Sequence, residues 1–163
     1  MAEGISVFSR VREHLTGTHR TGAPEVKKAS PRDSSVLVVD DEEPVRKFVE
    51  RVLRDAGYKT AMAGDGLEAL EVAAKLDTLD ILVTDVMMPQ MAGSELARRL
   101  RQSQPTLKVL YLTGYADNLF KEKVTLWEDE AYLDKPCSIK SLLEAVSLLL
   151  FGSFEKPREL NAK

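Results

Sequence analysis

The stretch LVTDVMMPQMAG, residues 82–93, is an apolar run that stops at an acid, Asp85, and continues through two methionines and a proline to a glycine. A carboxylate at the end of a buried strand is costly unless something uses its charge. The same punctuation recurs along the chain. VLVV (36–39) is a continuous β-branched and leucine run bounded by acids, the pattern of a strand buried on both faces. EPVRKFVERVLRDAG (43–57) follows, with Val45, Phe48, Val49, Val52, Leu53 and Ala56 on one helical stripe. Pro44 suits its first turn and Gly57 its stop. KTAMA (59–63) predicts a second strand, and GDG leads from it into a helix carrying Leu67, Leu70, Ala73 and Ala74. DILVT (80–84) is a third strand, and Pro89 and Gly93 turn the chain into a helix beginning near Ser94. In that helix Leu96 and Leu100 point inward, and Arg98, Arg99 and Arg101 are solvated. KVLYL (108–112) and AYLD (131–134) predict two more strands, with a sparse helical pattern over 116–126 between them. SIKSLLEAVSLLLF (138–151) closes the series at near-ideal helical spacing, from Ile139 to Leu150.

Five strand–helix units imply an α/β fold, a five-stranded parallel sheet with helices on both faces. They occupy residues 35–151, flanked by a linker-like amino-terminal tail over 1–34 and a carboxyl-terminal tail over 152–163. The tail segment TGTHRTGAPEVKKASPRDSS (16–35) is rich in Gly, Pro, Ser, Thr and charge. Before it, Ile5, Phe8, Val11 and Leu15 fall close to helical spacing. A frayed tail is favoured there over a short docking helix, because isolated helices of that length are marginal.

Composition narrows the function. A net charge of -3 over 163 residues argues against direct nucleic-acid binding, since no basic excess exists to neutralise phosphates. No run is long enough to span a bilayer, and the amino terminus has no secretory apolar core. One cysteine, Cys137, excludes a disulfide framework, and the two histidines, His14 and His19, lie in the tail. The expected compartment is cytoplasmic.

In a parallel sheet of this kind, ligands bind outside the carboxyl ends of the strands. Asp40 and Asp41 follow the first strand, with Glu42 and Glu43 behind them. Asp85 follows the third, Thr113 and Gly114 the fourth, and Lys135 and Pro136 the fifth. Crowded carboxylates repel one another unless a cation is present. A hard divalent ion, Mg²⁺ or Mn²⁺, suits such an oxygen set and leaves room for phosphate oxygens. Thr113 can donate to a phosphoryl oxygen, Lys135 can pair with it, and Asp85 is the natural nucleophile for an acyl phosphate. Any one of these residues alone reads as a cap or a surface group; the set is hard to assemble by accident.

On these residues, 36 to about 150 resembles the receiver domain of bacterial two-component response regulators, a (βα)5 flavodoxin-like fold. VVDDE (38–42) is similar to the family's acidic pair, DVMMPQMAG (85–93) to its phosphoacceptor loop, YLTGYA (111–116) to its threonine segment, and YLDKP (132–136) to its lysine–proline segment. The resemblance implies a phosphorylation-activated switch rather than a turnover enzyme. Asp85 would accept a phosphoryl group from a histidine kinase or histidine phosphotransfer protein. It implies that Asp41 binds the metal directly and Asp40 through water, with the backbone carbonyl of Met87 and Asp85 completing the protein ligands. Thr113 and Lys135 would hold the phosphoryl group, and Tyr132 would be the aromatic that turns inward with Thr113. Met87 and Tyr115 would govern how long the phosphoryl group survives, by hindering water. It also implies a cis Lys135–Pro136 bond.

Two positions depart from the family pattern. Glu130 stands where a glycine is common before the last strand, and Cys137 where an aromatic usually follows the proline. Both are expected on the last strand and the helices flanking it, the face through which activated receivers meet a downstream protein or form a homodimer. Trp127 lies near the same face, and Cys137 reads as a small apolar filler. Two other readings compete. A haloacid-dehalogenase-like phosphatase needs a second acid two residues after its nucleophile, where Met87 stands. A flavin module needs a hydroxyl- and glycine-rich first loop, where DDEEP is acidic. Nothing after residue 151 is long enough for an output domain, which fits both a stand-alone receiver and the receiver part of a hybrid kinase.

Overall fold

The computed structural model describes residues 30–114 and 129–152. The expectations for the amino-terminal segment up to residue 29, the helix over 116–126, Tyr115, Trp127 and the tail from residue 153 fall outside them. After a 3-10 turn at Pro31–Asp33, the strands are β1 (Ser35–Val39), β2 (Lys59–Ala63), β3 (Ile81–Asp85), β4 (Lys108–Thr113) and β5 (Glu130–Asp134). The described helices are α1 (Glu43–Asp55), α2 (Gly66–Ala74), α3 (Gly93–Ser103) and α4 (Ile139–Phe151). The strands form one parallel sheet in the order β2-β1-β3-β4-β5. Its order reverses beside β1, which puts the ends of β1 and β3 next to each other at the switch point.

Alternation along the strands divides the core in two. Val36, Val38, Ile81, Val83, Leu110 and Leu112 face Val49 and Leu53 of α1 and Leu142 and Val146 of α4. Leu37, Val39, Leu82, Val109 and Tyr111 face Ala69 and Ala73 of α2 and Leu96 and Leu100 of α3. Both faces of β1 and β3 are therefore covered, which is why their centres, Val36–Val39 and Ile81–Val83, read as continuous apolar runs.

The helical stripes are narrower than their periodicity suggests. Phe48, Leu67 and Ile139 are 42%, 52% and 55% exposed, and Ala56 and Ala74 are exposed as well. On α2 the buried face is Gly66, Ala69 and Ala73, a strip of small residues that brings the helix close to its neighbours. A Cβ on Gly66 would lie 2.7 Å from Met91 Sδ. Gly57 ends α1's turn with φ 102°, as expected for a glycine stop. Ser138 caps α4 by accepting from the Ser141 amide at 3.0 Å. No helix among the described residues is long and apolar enough to cross a membrane.

Candidate functional site

The strand ladders run further than the apolar runs do. Asp85 and Thr113 are not loop residues after their strands; they are the last residues of β3 and β4, in register with Leu112 and Asp134. Strand pairing, which hydropathy does not register, holds their backbones. Asp40, one residue past β1, is 2% exposed; Asp85 is 8% exposed, and Asp41 is exposed. Carboxylate oxygens of all three lie within 4.8 Å of one another.

Lys135 reaches into this cluster from the end of β5. Its ammonium donates to Asp40 Oδ2 at 2.6 Å and Asp85 Oδ2 at 3.2 Å, with Glu42 Oε1 at 4.0 Å. Burial works against the Lys135 charge, but the bonds and charges of Asp40 and Asp85 outweigh it and hold its pKa above the usual value. Asp85 moves the other way on balance. Burial raises its pKa and the Asp40 charge adds to this, and the Lys135 charge and hydrogen bond and the Met87 amide, which donates to Oδ1 at 3.2 Å, offset only part of the rise. Among the described residues one ammonium faces three clustered carboxylates, which leaves anionic charge in excess at the sheet edge. An all-oxygen set of this kind fits a hard divalent cation.

Thr113 is 1% exposed at the end of β4, and its carbonyl accepts the Lys135 amide at 2.9 Å. Threonine and lysine are thus tied through the backbone. Tyr132 pairs in register with Tyr111 and packs half-buried against the α2–α3 side of the core. Met87 is 52% exposed beside Asp85. The Lys135–Pro136 bond is cis.

Gly93 does not act as a turn residue. A Cβ there would sit 2.1 Å from the Asp85 carbonyl oxygen, so the start of α3 is pressed against the nucleophile's own backbone. The left-handed position of this loop is Gln90, φ 69°. The packing role had one sequence signal, a glycine opening a helix after an acidic strand end, and that signal reads equally well as a turn.

Glu130 and Arg101 also differ from expectation. The Glu130 side chain is 1% exposed, buried beneath the surface rather than displayed on it. Its Oε1 accepts from Arg101 Nη1 at 2.7 Å and from the Tyr111 hydroxyl at 3.2 Å, and Arg101 also donates to the Leu107 carbonyl at 3.1 and 3.2 Å. Arg101 is therefore not a solvated helix residue. It bolts the end of α3 to β5, and its partner lies 29 residues away. Glu130→Gln keeps the shape but loses the charge assistance, and urea unfolding should show a loss of about 2 kcal/mol. Cys137 is half-buried against the α1–α4 side of the core, and burial raises its thiol pKa, in keeping with an apolar filler.

The chain is similar to known proteins over most of this domain. Residues 36–147 match the family described as "Response regulator receiver domain". The chain is 38% identical over 129 residues to the sensor kinase CckA of Brucella abortus, covering 77% of this chain and 14% of that protein. It is 41% identical over 117 residues to the response regulator MprA of Mycobacterium leprae, covering 71% of this chain and 50% of that one. The chain therefore spans only a part of these curated relatives. Among solved structures, the receiver domain of the hybrid histidine kinase CckA superposes with a TM-score of 0.61 at 35% identity, covering 72% of this chain and 99% of that domain. With the family model matching residues 36–147 and relatives at 38% and 41% identity, this chain belongs to the response regulator receiver domain family.

Proposed function

We propose that Asp85 is the phosphoacceptor of a metal-dependent phosphorelay, in which the chain is a signalling switch and not a turnover enzyme. The observation that carries this is the meeting of Asp40, Asp41 and Asp85 within 4.8 Å, with Lys135 bridging two of them. A carboxylate oxygen of Asp85 attacks phosphorus, the bond from phosphorus to the donor's imidazole nitrogen breaks, and the imidazole leaves with its electron pair. Lys135 then follows the negative charge from the carboxylates to the phosphoryl oxygens. Thr113 donates a hydrogen bond from its hydroxyl to the same group, and Tyr132 turns inward behind it. Asp40, Asp41, Asp85 and the Met87 carbonyl would hold Mg²⁺ or Mn²⁺, which when bound neutralises charge on the transferring group. Met87 and Tyr115 slow hydrolysis by crowding water.

The phosphoryl donor is a histidine kinase or histidine phosphotransfer protein in the cytoplasm. Residues 35–151 are the working unit, and β5 with α4 beside it forms the described part of the output face towards a downstream protein or a second copy. The similarity to receivers of both a sensor kinase and a response regulator supports either a stand-alone receiver or part of a hybrid kinase. Met87, where a phosphatase of the haloacid-dehalogenase type needs its acid, gives the enzyme reading no support. Incubation with Mg²⁺ and a small acyl phosphate, followed by peptide mapping, should locate one phosphoryl group on Asp85. An unmodified chain would overturn the proposal.

A further inference from the structure

Asp40 is held at four points. Its amide donates to the Ala63 carbonyl at 3.3 Å, Oδ1 accepts from the Glu42 amide at 2.9 Å, and Oδ2 accepts from Lys135 at 2.6 Å. Its backbone carbonyl accepts from Arg46 Nη1 at 2.7 Å. The first three bonds belong to the sheet edge, the turn and the site lysine. The fourth comes from a half-buried cation on α1 that spends its guanidinium on a main-chain oxygen.

Space for that guanidinium comes from β2's end. A Cβ on Gly64 would lie 3.1 Å from Arg46 Nη1 and 3.3 Å from Glu68 Oε2, tighter than ordinary contact. Gly64 does not have a left-handed φ, so its missing side chain matters for room and not for backbone freedom.

The carbonyl that Arg46 holds belongs to the planar peptide joining Asp40 to Asp41. Fixing that oxygen fixes the plane, and with it the place of the Asp41 Cα from which that side chain leaves. A charge-assisted bond is well suited to the task.

We propose that Arg46, seated in the notch left by Gly64, is a positioning residue for the divalent cation, setting the Asp40–Asp41 peptide so that both carboxylates face Asp85. The inference rests on the metal assignment proposed above. Outer partners of ligating groups typically change metal affinity about 10–100-fold when removed.

Calorimetric titration of Mg²⁺ into the metal-free chain tests it. Arg46→Ala should raise Kd about tenfold, and Arg46→Lys should recover part of the loss. Gly64→Ala, whose backbone tolerates alanine, should raise Kd in the same direction by displacing the guanidinium. The double variant Arg46→Ala/Gly64→Ala should then bind no more weakly than Arg46→Ala alone. Phosphorylation by an acyl phosphate should slow at low Mg²⁺ and recover as Mg²⁺ rises, which a general loss of structure would not do. Should Arg46→Ala fail to fold, Arg46→Lys and Gly64→Ala still decide the matter. Unchanged or tighter Mg²⁺ binding in these variants, beside normal binding by the unsubstituted chain, would overturn the inference alone. No Mg²⁺ binding by the unsubstituted chain would overturn the metal assignment and the inference together.

Discussion

Asp85→Asn should abolish phosphorylation and at the same time make the metal-free protein more stable. The first effect follows from chemistry: an amide oxygen is too weak a nucleophile to form the acyl phosphate, so no adduct should survive in intact mass after incubation with Mg²⁺ and a phosphoryl donor. The second follows from burial. Asp85 is 8% exposed, and burial together with the neighbouring Asp40 charge raises its pKa against the lowering effects of Lys135 and the Met87 amide. The folded state therefore binds this proton more tightly than the unfolded chain does. Stability from this group falls as pH rises from the ordinary carboxylate value through the raised one, then levels off. At neutral pH the ionised Asp85 is a net cost, which the neutral amide removes, while Lys135 keeps its bond to Asp40. Thermal unfolding in a chelator should show a higher melting temperature for Asp85→Asn at pH 7, with the gap closing towards acid pH. An equal or lower melting temperature would show that the Lys135 pair outweighs burial.

Gly93→Ala should be the most disruptive single methyl group in the domain. Its Cβ would fall 2.1 Å from the Asp85 carbonyl oxygen and 3.0 Å from Thr84 Cγ2. The first obstacle is backbone, which cannot rotate aside, and it sits on a strand paired on both sides. Either α3 lifts from β3 or the end of β3 moves. We expect a loss of about 3 kcal/mol or more in urea unfolding. Whatever protein stays folded should also phosphorylate more slowly, because relief of the clash displaces the nucleophile's own residue. Gly64→Ala is the useful contrast, since it crowds side-chain ends and leaves the main chain in place. A Gly93→Ala variant as stable as the parent would show that α3 can shift without carrying Asp85 along.

The site was legible because of how a parallel sheet buries its strands. VLVV and ILV (81–83) carry no polar residue on either face, and apart from the buried Thr84 the first polar groups after them are the acids, which are marked by contrast. Asp40, Asp41, Asp85 and Thr113 stand at the ends of such runs, and Lys135 follows the half-buried β5. Arg46 carried no comparable mark, because a cation on an amphipathic helix reads as solvated whether or not it turns back towards a carbonyl. Leu67 and Phe48 misled for a related reason. Periodicity says which residues share a face of a helix, but the neighbouring elements set how much of that face is covered.

The sequence alone determined the order of the strands and of the described helices, the parallel sheet and the residues that gather at its edge. These depend on local hydropathy and on the rule that strands joined by helices pair in parallel. Only the tertiary structure decided that Glu130 is buried on Arg101 and Tyr111 rather than offered to a partner, that Gly93 is a close approach and not a turn, and that Arg46 crosses over Gly64 to Asp40. Each of these depends on a distance between residues far apart in the chain or on the space between backbones. Side-chain type records charge and size, and the fold alone supplies the partner.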